Sequence, residues 1–220
     1  MKTALITGAS RGIGLALCKH YLAKGWQVIG VCRQSSAELQ QSGVEVIAGV
    51  DVTSEAAIRQ LKQALGNRQL DLVVNNAGVF RNESLGNLDS QSIIDQFLVN
   101  ALAPLKVTEA LLDNLATGAK LAFITSRMGS IADNGSGAYY GYRMSKAALN
   151  AGAMSLARDL AKRGIAVAIL HPGFVQTAMV NYAGDISPEL SAERLAQRIE
   201  ELTLETSGGF WHSNGERLPW

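Results

Sequence analysis

Six short apolar runs alternate along this chain with longer stretches of helical period, and this alternation constrains the fold more than any other feature. A strand that leads through a helix to the next strand returns parallel to its neighbour, so repeated units build a parallel sheet with helices on both faces. The runs are Ala4 to Thr7, Val28 to Cys32, Val44 to Ala48, Leu70 to Val74, Leu121 to Thr125 and Ile165 to Leu170. Helical candidates span 12–24, 54–66, 90–116, 140–162 and 189–204. Gly208-Gly209-Phe210-Trp211, followed by Asn214-Gly215, reads as a seventh strand and a turn at the sheet edge. The expectation is an α/β fold, a doubly wound parallel sheet of about seven strands. No linker, repeat or low-complexity segment divides the chain, so one domain over 1–220 is expected.

Composition narrows the function classes. With 47% hydrophobic and 18% charged residues among 220, the chain can bury a large core and disorder is excluded as its general state. A net charge of +1 supplies no field for a polyanion, so neither nucleic acid nor a membrane surface is an expected partner. No apolar run approaches the roughly 20 residues of a membrane span. Cys18 and Cys32 are too few for a disulfide framework and lack metal spacing, which points to a reducing, cytoplasmic setting. His20, His171 and His212 are widely separated, and no metal site is expected.

The first run ends in Thr7-Gly8-Ala9-Ser10-Arg11-Gly12-Ile13-Gly14, and a helical pattern begins at once. A glycine-rich turn between strand and helix lets backbone N–H groups approach a pyrophosphate at the positive end of the helix. The second run ends in Cys32-Arg33, where an acid would grip a ribose 2′-hydroxyl and an arginine pairs with a 2′-phosphate. Arg11 offers a second cation, so NADP(H) is favoured over NAD(H). Read singly, either arginine is equally a solvated surface cation. Asp51-Val52 and Asn75-Asn76-Ala77-Gly78 follow the third and fourth runs, at strand ends where such sheets bind ligands. Asp51 suits an adenine amino group or a helix cap ahead of Thr53 and Ser54.

Tyr142 and Lys146 stand four apart on a helical segment and therefore share one face. A neighbouring ammonium stabilises phenolate, so the tyrosine pKa is expected to fall toward neutrality; the plain alternative is a surface pair. Ser126 closes the fifth run, where a hydroxyl can polarise a substrate carbonyl or simply occupy a turn. Asn100 interrupts an apolar helical stretch, as a solvent-facing or helix-bending residue would.

The ordered set Thr7-Gly8-x-x-x-Gly12-x-Gly14, Asp51, Asn75-Asn76-Ala77-Gly78, Asn100, Ser126, Tyr142-x-x-x-Lys146 and Pro172-Gly173-x-x-x-Thr177 resembles the short-chain dehydrogenase/reductases. The blocks from Ile124 to Ile131, Tyr140 to Arg143 and Asn214 to Trp220 are similar to the C-factor/Sniffer-type carbonyl reductases. The resemblance implies a Rossmann fold, an NADPH/NADP+ cofactor and a small carbonyl or alcohol substrate. It implies Tyr142 as the proton donor in reduction and Lys146 as the residue that holds the nicotinamide ribose and tunes Tyr142. Ser126 would orient the carbonyl, and Asn100 would bind a relay water. Cofactor contacts would come from Gly8, Ser10, Arg11, Gly12, Ile13 and Gly14 in the turn, and from Arg33, Asp51, Val52, Asn76, Ala77 and Gly78 beyond it. Tyr142, Lys146, Pro172, Gly173, Val175 and Thr177 would surround the nicotinamide, Thr177 at its carboxamide. Family members are often dimers or tetramers joined through the long helices.

Two departures stand out. Ser126 and Tyr142 are sixteen residues apart, so the loop between Gly129 and Gly141 must bulge, and Ser130 is a reserve for the serine role. Only a short segment, Ala178 to Glu189, separates the carboxamide turn from the last helix, which would leave the cleft comparatively open. Phe80, Met128, Tyr139, Phe174, Met179 and Tyr182 form either an apolar substrate wall or lid packing. Beside the reductase stands a second function, a dinucleotide-binding regulator with little turnover. A flavin or S-adenosylmethionine enzyme leaves the Tyr/Lys pair unexplained.

Overall fold

A computed structural model describes all residues from Met1 to Trp220. Seven strands form one parallel sheet: β1 Thr3–Thr7, β2 Gln27–Val31, β3 Glu45–Ile47, β4 Leu70–Asn75, β5 Leu115–Ile124, β6 Ala166–His171 and β7 Phe210–His212. Their order is β3-β2-β1-β4-β5-β6-β7. Side chains alternate across the pleat, so Leu5, Val73, Leu121, Phe123 and Ile169 enter one core, while Ala4, Ile6, Leu72, Val74 and Leu170 enter the other. Both cores are apolar, which is why these strands read as continuous hydrophobic runs. Chain direction across the sheet reverses between β3 and β4. The loops after β1 and β4 therefore open side by side at the switch point, the usual place for a ligand crevice.

The helices are α1 Gly12–Ala23, α2 Ala37–Gln40, α3 Glu55–Leu65, α4 Ser90–Phe97, α5 Ala103–Ala110, α6 Tyr140–Leu160 and α7 Pro188–Glu201. The third shows how local sequence makes such an element. Ser54 accepts the Ala57 N–H as N-cap, Ala57, Ile58, Leu61 and Leu65 recur on one buried face, and Gly66 ends the helix at φ +55°. Losing that cap costs about 1 kcal/mol.

The expected helix over 90–116 is divided. A π-helical turn at Leu98–Leu102 separates α4 from α5, and helix ends near Leu111, because Leu115 already pairs with Leu70 at the start of β5. Periodicity could not separate Leu115 and Ala116 from helix, and the strand begins six residues before the expected Leu121, since tertiary pairing decides it. The short α2, capped by Ser36, was also absent from the sequence reading. No helix is long and apolar enough to cross a membrane.

Candidate active site

The glycine turn is built by close backbone approach. Gly8 adopts φ +68°, and a Cβ on Gly14 would lie 2.2 Å from the Gly8 carbonyl oxygen and 2.6 Å from Asn76 Nδ2. Asn76 Nδ2 donates to the Thr7 carbonyl at 3.0 Å, and the Thr7 hydroxyl accepts the N–H groups of Asn76 and Ala77. The side chain of Asn76 is thus committed to stitching the two loops together. Helix α1 starts without a side-chain cap, unlike α3, α4 and α7, which Ser54, Asp89 and Ser187 cap. Its first N–H groups are left for an external acceptor at the positive end of the helix. The uncapped start is what a pyrophosphate needs, and the missing Cβ at Gly14 lets the helix pack this tightly on the turn, so the turn fits a dinucleotide.

Beyond the turn, Arg11 and Arg33 are exposed and neither has an ion-pair partner within 4.0 Å. Ser36 Oγ donates to the Ser10 carbonyl at 2.7 Å, so α2 closes this corner, a contact the motif spacing did not show. One oxygen of Asp51 accepts the Thr53 N–H at 2.9 Å and the Thr53 hydroxyl at 2.7 Å, which holds its carboxyl below the usual range. The capping alternative for Asp51 is therefore realised as a local turn, and Ser54 is the helix cap. Ile13 and Val52 are half-buried, packed against opposite cores.

At the carboxyl end of β5, Ser126 is buried and its hydroxyl accepts the Met128 N–H at 3.1 Å. Gly129 lies flat on α6, where a Cβ would be 2.8 Å from the Lys146 carbonyl carbon. This contact brings Ser126 to Tyr142, whose phenol feels the Ser126 hydroxyl as a hydrogen-bonding neighbour. Ser130, the reserve candidate, instead accepts the Asp133 N–H at 3.1 Å. The long loop is gathered in by Arg143, which donates to the Gly137 and Ala138 carbonyls and to Ser136 Oγ.

The expected depression of the Tyr142 pKa is not what the free protein has. Burial pushes the phenol up to about 12, with Ser126 pulling the other way. Lys146 lies 5.7 Å from the ring centre and donates to the Ile124 carbonyl at 2.9 Å, and burial pushes its amine down to about 8. Desolvation dominates for both groups.

Asn100 sits in the π turn and is fully buried, neither solvent-facing nor idle. Its amide accepts the Val79 N–H at 2.8 Å and donates to the Val79 carbonyl and to Ser145 Oγ. Gly78 borders it: a Cβ there would stand 3.2 Å from Asn100 Oδ1 and 3.8 Å from Lys146 Nζ. The loop after β6 is anchored through the Pro172 carbonyl, which accepts the hydroxyls of Ser191 and Ser213. Gly173 turns at φ +94°, Val175 is buried against Ile186, and Thr177 lies against Gly12, where a Cβ would be 3.2 Å from its methyl. His171 and His212, distant in sequence, pack edge to face at 4.8 Å because β6 and β7 are neighbours.

A family model described as short chain dehydrogenase matches residues 2–186. The chain belongs to the short-chain dehydrogenases. Across its whole length it is 40% identical to 1-hydroxy-2-glutathionyl-2-methyl-3-butene dehydrogenase of Rhodococcus sp. (strain AD45), all of which is covered. It is 42% identical to the C-signal protein of Myxococcus xanthus over 69% of this chain and 93% of that one. Among solved structures it is similar to the carbonyl reductase Sniffer of D. melanogaster, with TM-score 0.91, 28% identity and full coverage of both chains. The NADPH-bound carbonyl reductase from chicken fatty liver aligns with TM-score 0.90 and 28% identity over 100% of this chain and 99% of that one. This short-chain dehydrogenase is thus a member of an oxidoreductase family with carbonyl reductases as structural neighbours, and its Rossmann-type sheet is the one expected. Around the family motifs it also carries polar residues that the spacing did not mark, among them Glu83, Asn150 and Ser145, each buried. Their signal was invisible because each is defined by partners far away in sequence.

Proposed function

We propose that this chain is an NADPH-dependent reductase of small aldehydes or ketones, which also oxidises the corresponding alcohols. The observation that carries the reading is the convergence of Ser126, Tyr142 and Lys146 at the end of β5, with Lys146 beside Gly78 in the loop after β4. A nicotinamide held there would supply the hydride that the carbonyl carbon needs. Tyr142 gives its proton to the carbonyl oxygen, and a phenol pKa near 12 keeps that proton available at neutral pH. Ser126 holds the carbonyl by a hydrogen bond, and Lys146 holds the ribose hydroxyls. Asn100, close to Gly78 as Lys146 is, would hold the relay water through which protons return toward Lys146 and Tyr142. Gly8, Ser10, Gly12, Ile13, Gly14, Ala77 and Gly78 provide the close backbone, Asp51 and Val52 the adenine edge, and Pro172, Gly173, Val175 and Thr177 the nicotinamide end. Arg11 and Arg33 pair with the 2′-phosphate, the reason for choosing NADPH over NADH.

Two further assignments accompany this reading. Ile94 and Phe97 on α4, Leu98 and Leu102 in the π turn and Met144 on α6 are exposed apolar side chains, suited to a homodimer or tetramer contact. The cytoplasm is the setting, since Cys18 and Cys32 are buried free thiols. The likeness to C-signal favours one alternative, a dinucleotide-dependent regulator with little turnover. Assaying a panel of aldehydes, ketones, diketones and quinones by nicotinamide absorbance separates the two. The reductase reading expects turnover that Tyr142→Phe lowers by roughly 10²-fold or more. No turnover on the panel, or an undiminished Tyr142→Phe, defeats it.

A further inference from the structure

A buried carboxylate with no cation beside it stands behind the start of α6. Glu83 is 2% exposed, and each of its contacts is a donor. Ser92 Oγ and Gln96 Nε2, the latter at 2.7 Å, both donate to Oε1, while the Gly141 N–H donates to Oε2 at 3.1 Å. Gln96 is itself fully buried, and its amide orientation follows from the Arg81 N–H, which donates to Oε1 at 3.0 Å. The Glu83 backbone is engaged as well, since its carbonyl accepts the Tyr139 N–H at 2.8 Å. One residue therefore grips the chain on both sides of Tyr140, immediately before Tyr142.

What it grips is strained. Ala138 and Tyr139 are consecutive non-glycine residues at φ +52° and +54°. Such conformations cost on the order of 1 kcal/mol or more each and persist only when their surroundings enforce them. Helix α6 has no side-chain cap of its own, so the Glu83 carboxylate satisfies one of its first N–H groups and meets the positive end of the helix. The approach is close enough that a Cβ on Gly141 would lie 2.5 Å from Gln96 Nε2 and 3.1 Å from Glu83 Oε2. The held turn also sets an aromatic stack. Tyr139 lies on Phe80 at 5.5 Å and 26°, and Phe80 meets Tyr142 edge-on at 4.8 Å.

We infer that Glu83 is a positioning residue for Tyr142: its carboxylate and carbonyl lock the left-handed Ala138-Tyr139 turn and so aim the phenol and its aromatic wall. The inference rests on the reductase reading for its catalytic consequence. Glu83→Gln preserves size but turns an acceptor into a donor, setting it against Gly141 N–H or against Ser92 and Gln96. The double variant Glu83→Gln with Gln96→Glu keeps an acceptor for the Gly141 and Arg81 N–H groups and reverses the bond between positions 83 and 96, with the Ser92 hydroxyl turning to accept from the new amide.

The test measures steady-state kinetics, thermal melting and amide hydrogen exchange on the full chain. For Glu83→Gln, kcat falls by roughly ten- to a hundredfold, as expected of a misplaced acid, while KM for NADPH stays within about twofold. Exchange accelerates at residues 138–142, and the double variant recovers most of the rate. Unchanged kcat and exchange overturn the inference. So does a general loss, in which melting, nucleotide binding and exchange across the sheet fall together without recovery in the double variant. If Glu83→Gln does not fold, Ser92→Ala removes one donor and is judged by the same outcomes. If the wild type turns over no carbonyl compound, the reductase reading fails by itself. Exchange then decides the clamp: faster exchange confined to 138–142 upholds it, and unaltered exchange refutes it.

Discussion

Lys146 donates to the Ile124 carbonyl at 2.9 Å, so the amine is tied to the end of β5 rather than to the Tyr142 phenol on its own helix. A sequence spacing of four residues establishes that the two share a face, but the tether establishes where the charge rests. The amine is pushed down to about 8 by burial from an ordinary value of 10.5. Between those two values the unfolded chain binds more protons than the folded one, so nucleotide-free stability gains from Lys146 as pH rises through this window. Relative to wild type, Lys146→Met is then most stabilising below pH about 8. Its advantage shrinks by up to about 1.4 kcal/mol per pH unit crossed above that. Denaturant unfolding at a series of pH values checks this, and a pH-independent difference contradicts it.

Gly14 is expected to tolerate no side chain. In Gly14→Ala the methyl meets the Gly8 carbonyl oxygen at 2.2 Å and Asn76 Nδ2 at 2.6 Å. Opening that contact costs about 1–3 kcal/mol of stability and spoils the turn that faces the nucleotide. Calorimetric melting together with nucleotide titration would show both losses. Wild-type affinity in a fully stable variant would mean that the turn has more slack than its backbone shows.

In the proposed reading Arg33 carries the cofactor choice. Arg33→Ala should weaken NADPH binding by about 2 kcal/mol, the scale of a charged hydrogen bond, and leave NADH nearly unaffected. Isothermal titration with both nucleotides reads the difference directly, and equal losses would remove the 2′-phosphate from the assignment.

Phe97 is 45% exposed at the end of α4, beside other exposed apolar side chains. Phe97→Glu places a charge in the proposed subunit contact and should shift the assembly to monomers, seen by light scattering coupled to size exclusion. A wild-type chain that is already monomeric at micromolar concentration would place that face outside any stable interface.

Much of the architecture was legible because it is written in local pattern. Apolar runs such as Val28 to Cys32 and helix signals such as Ser54 before a periodic face depend on neighbours only a few residues away. The failures occur where distant pairing overrules periodicity. Leu115 leaves helix because it finds Leu70, and Asn100 sits in a π turn because its amide is satisfied by Val79 and Ser145. Gly137 enters the left-handed turn at φ +65°, but Ala138 and Tyr139 continue it without glycine's freedom, and Glu83 supplies the restraint instead.

Residue order alone determined that this chain forms a parallel α/β sheet, where its glycine turn lies, and which tyrosine and lysine share a helical face. Those properties follow from side-chain period and backbone sterics, which act over short stretches. Tertiary structure decided which serine reaches Tyr142, that His171 and His212 touch, and that the phenol of the free protein is hard to ionise. Burial and hydrogen-bond partnership are relations between segments, and they exist only after the sheet has brought those segments together.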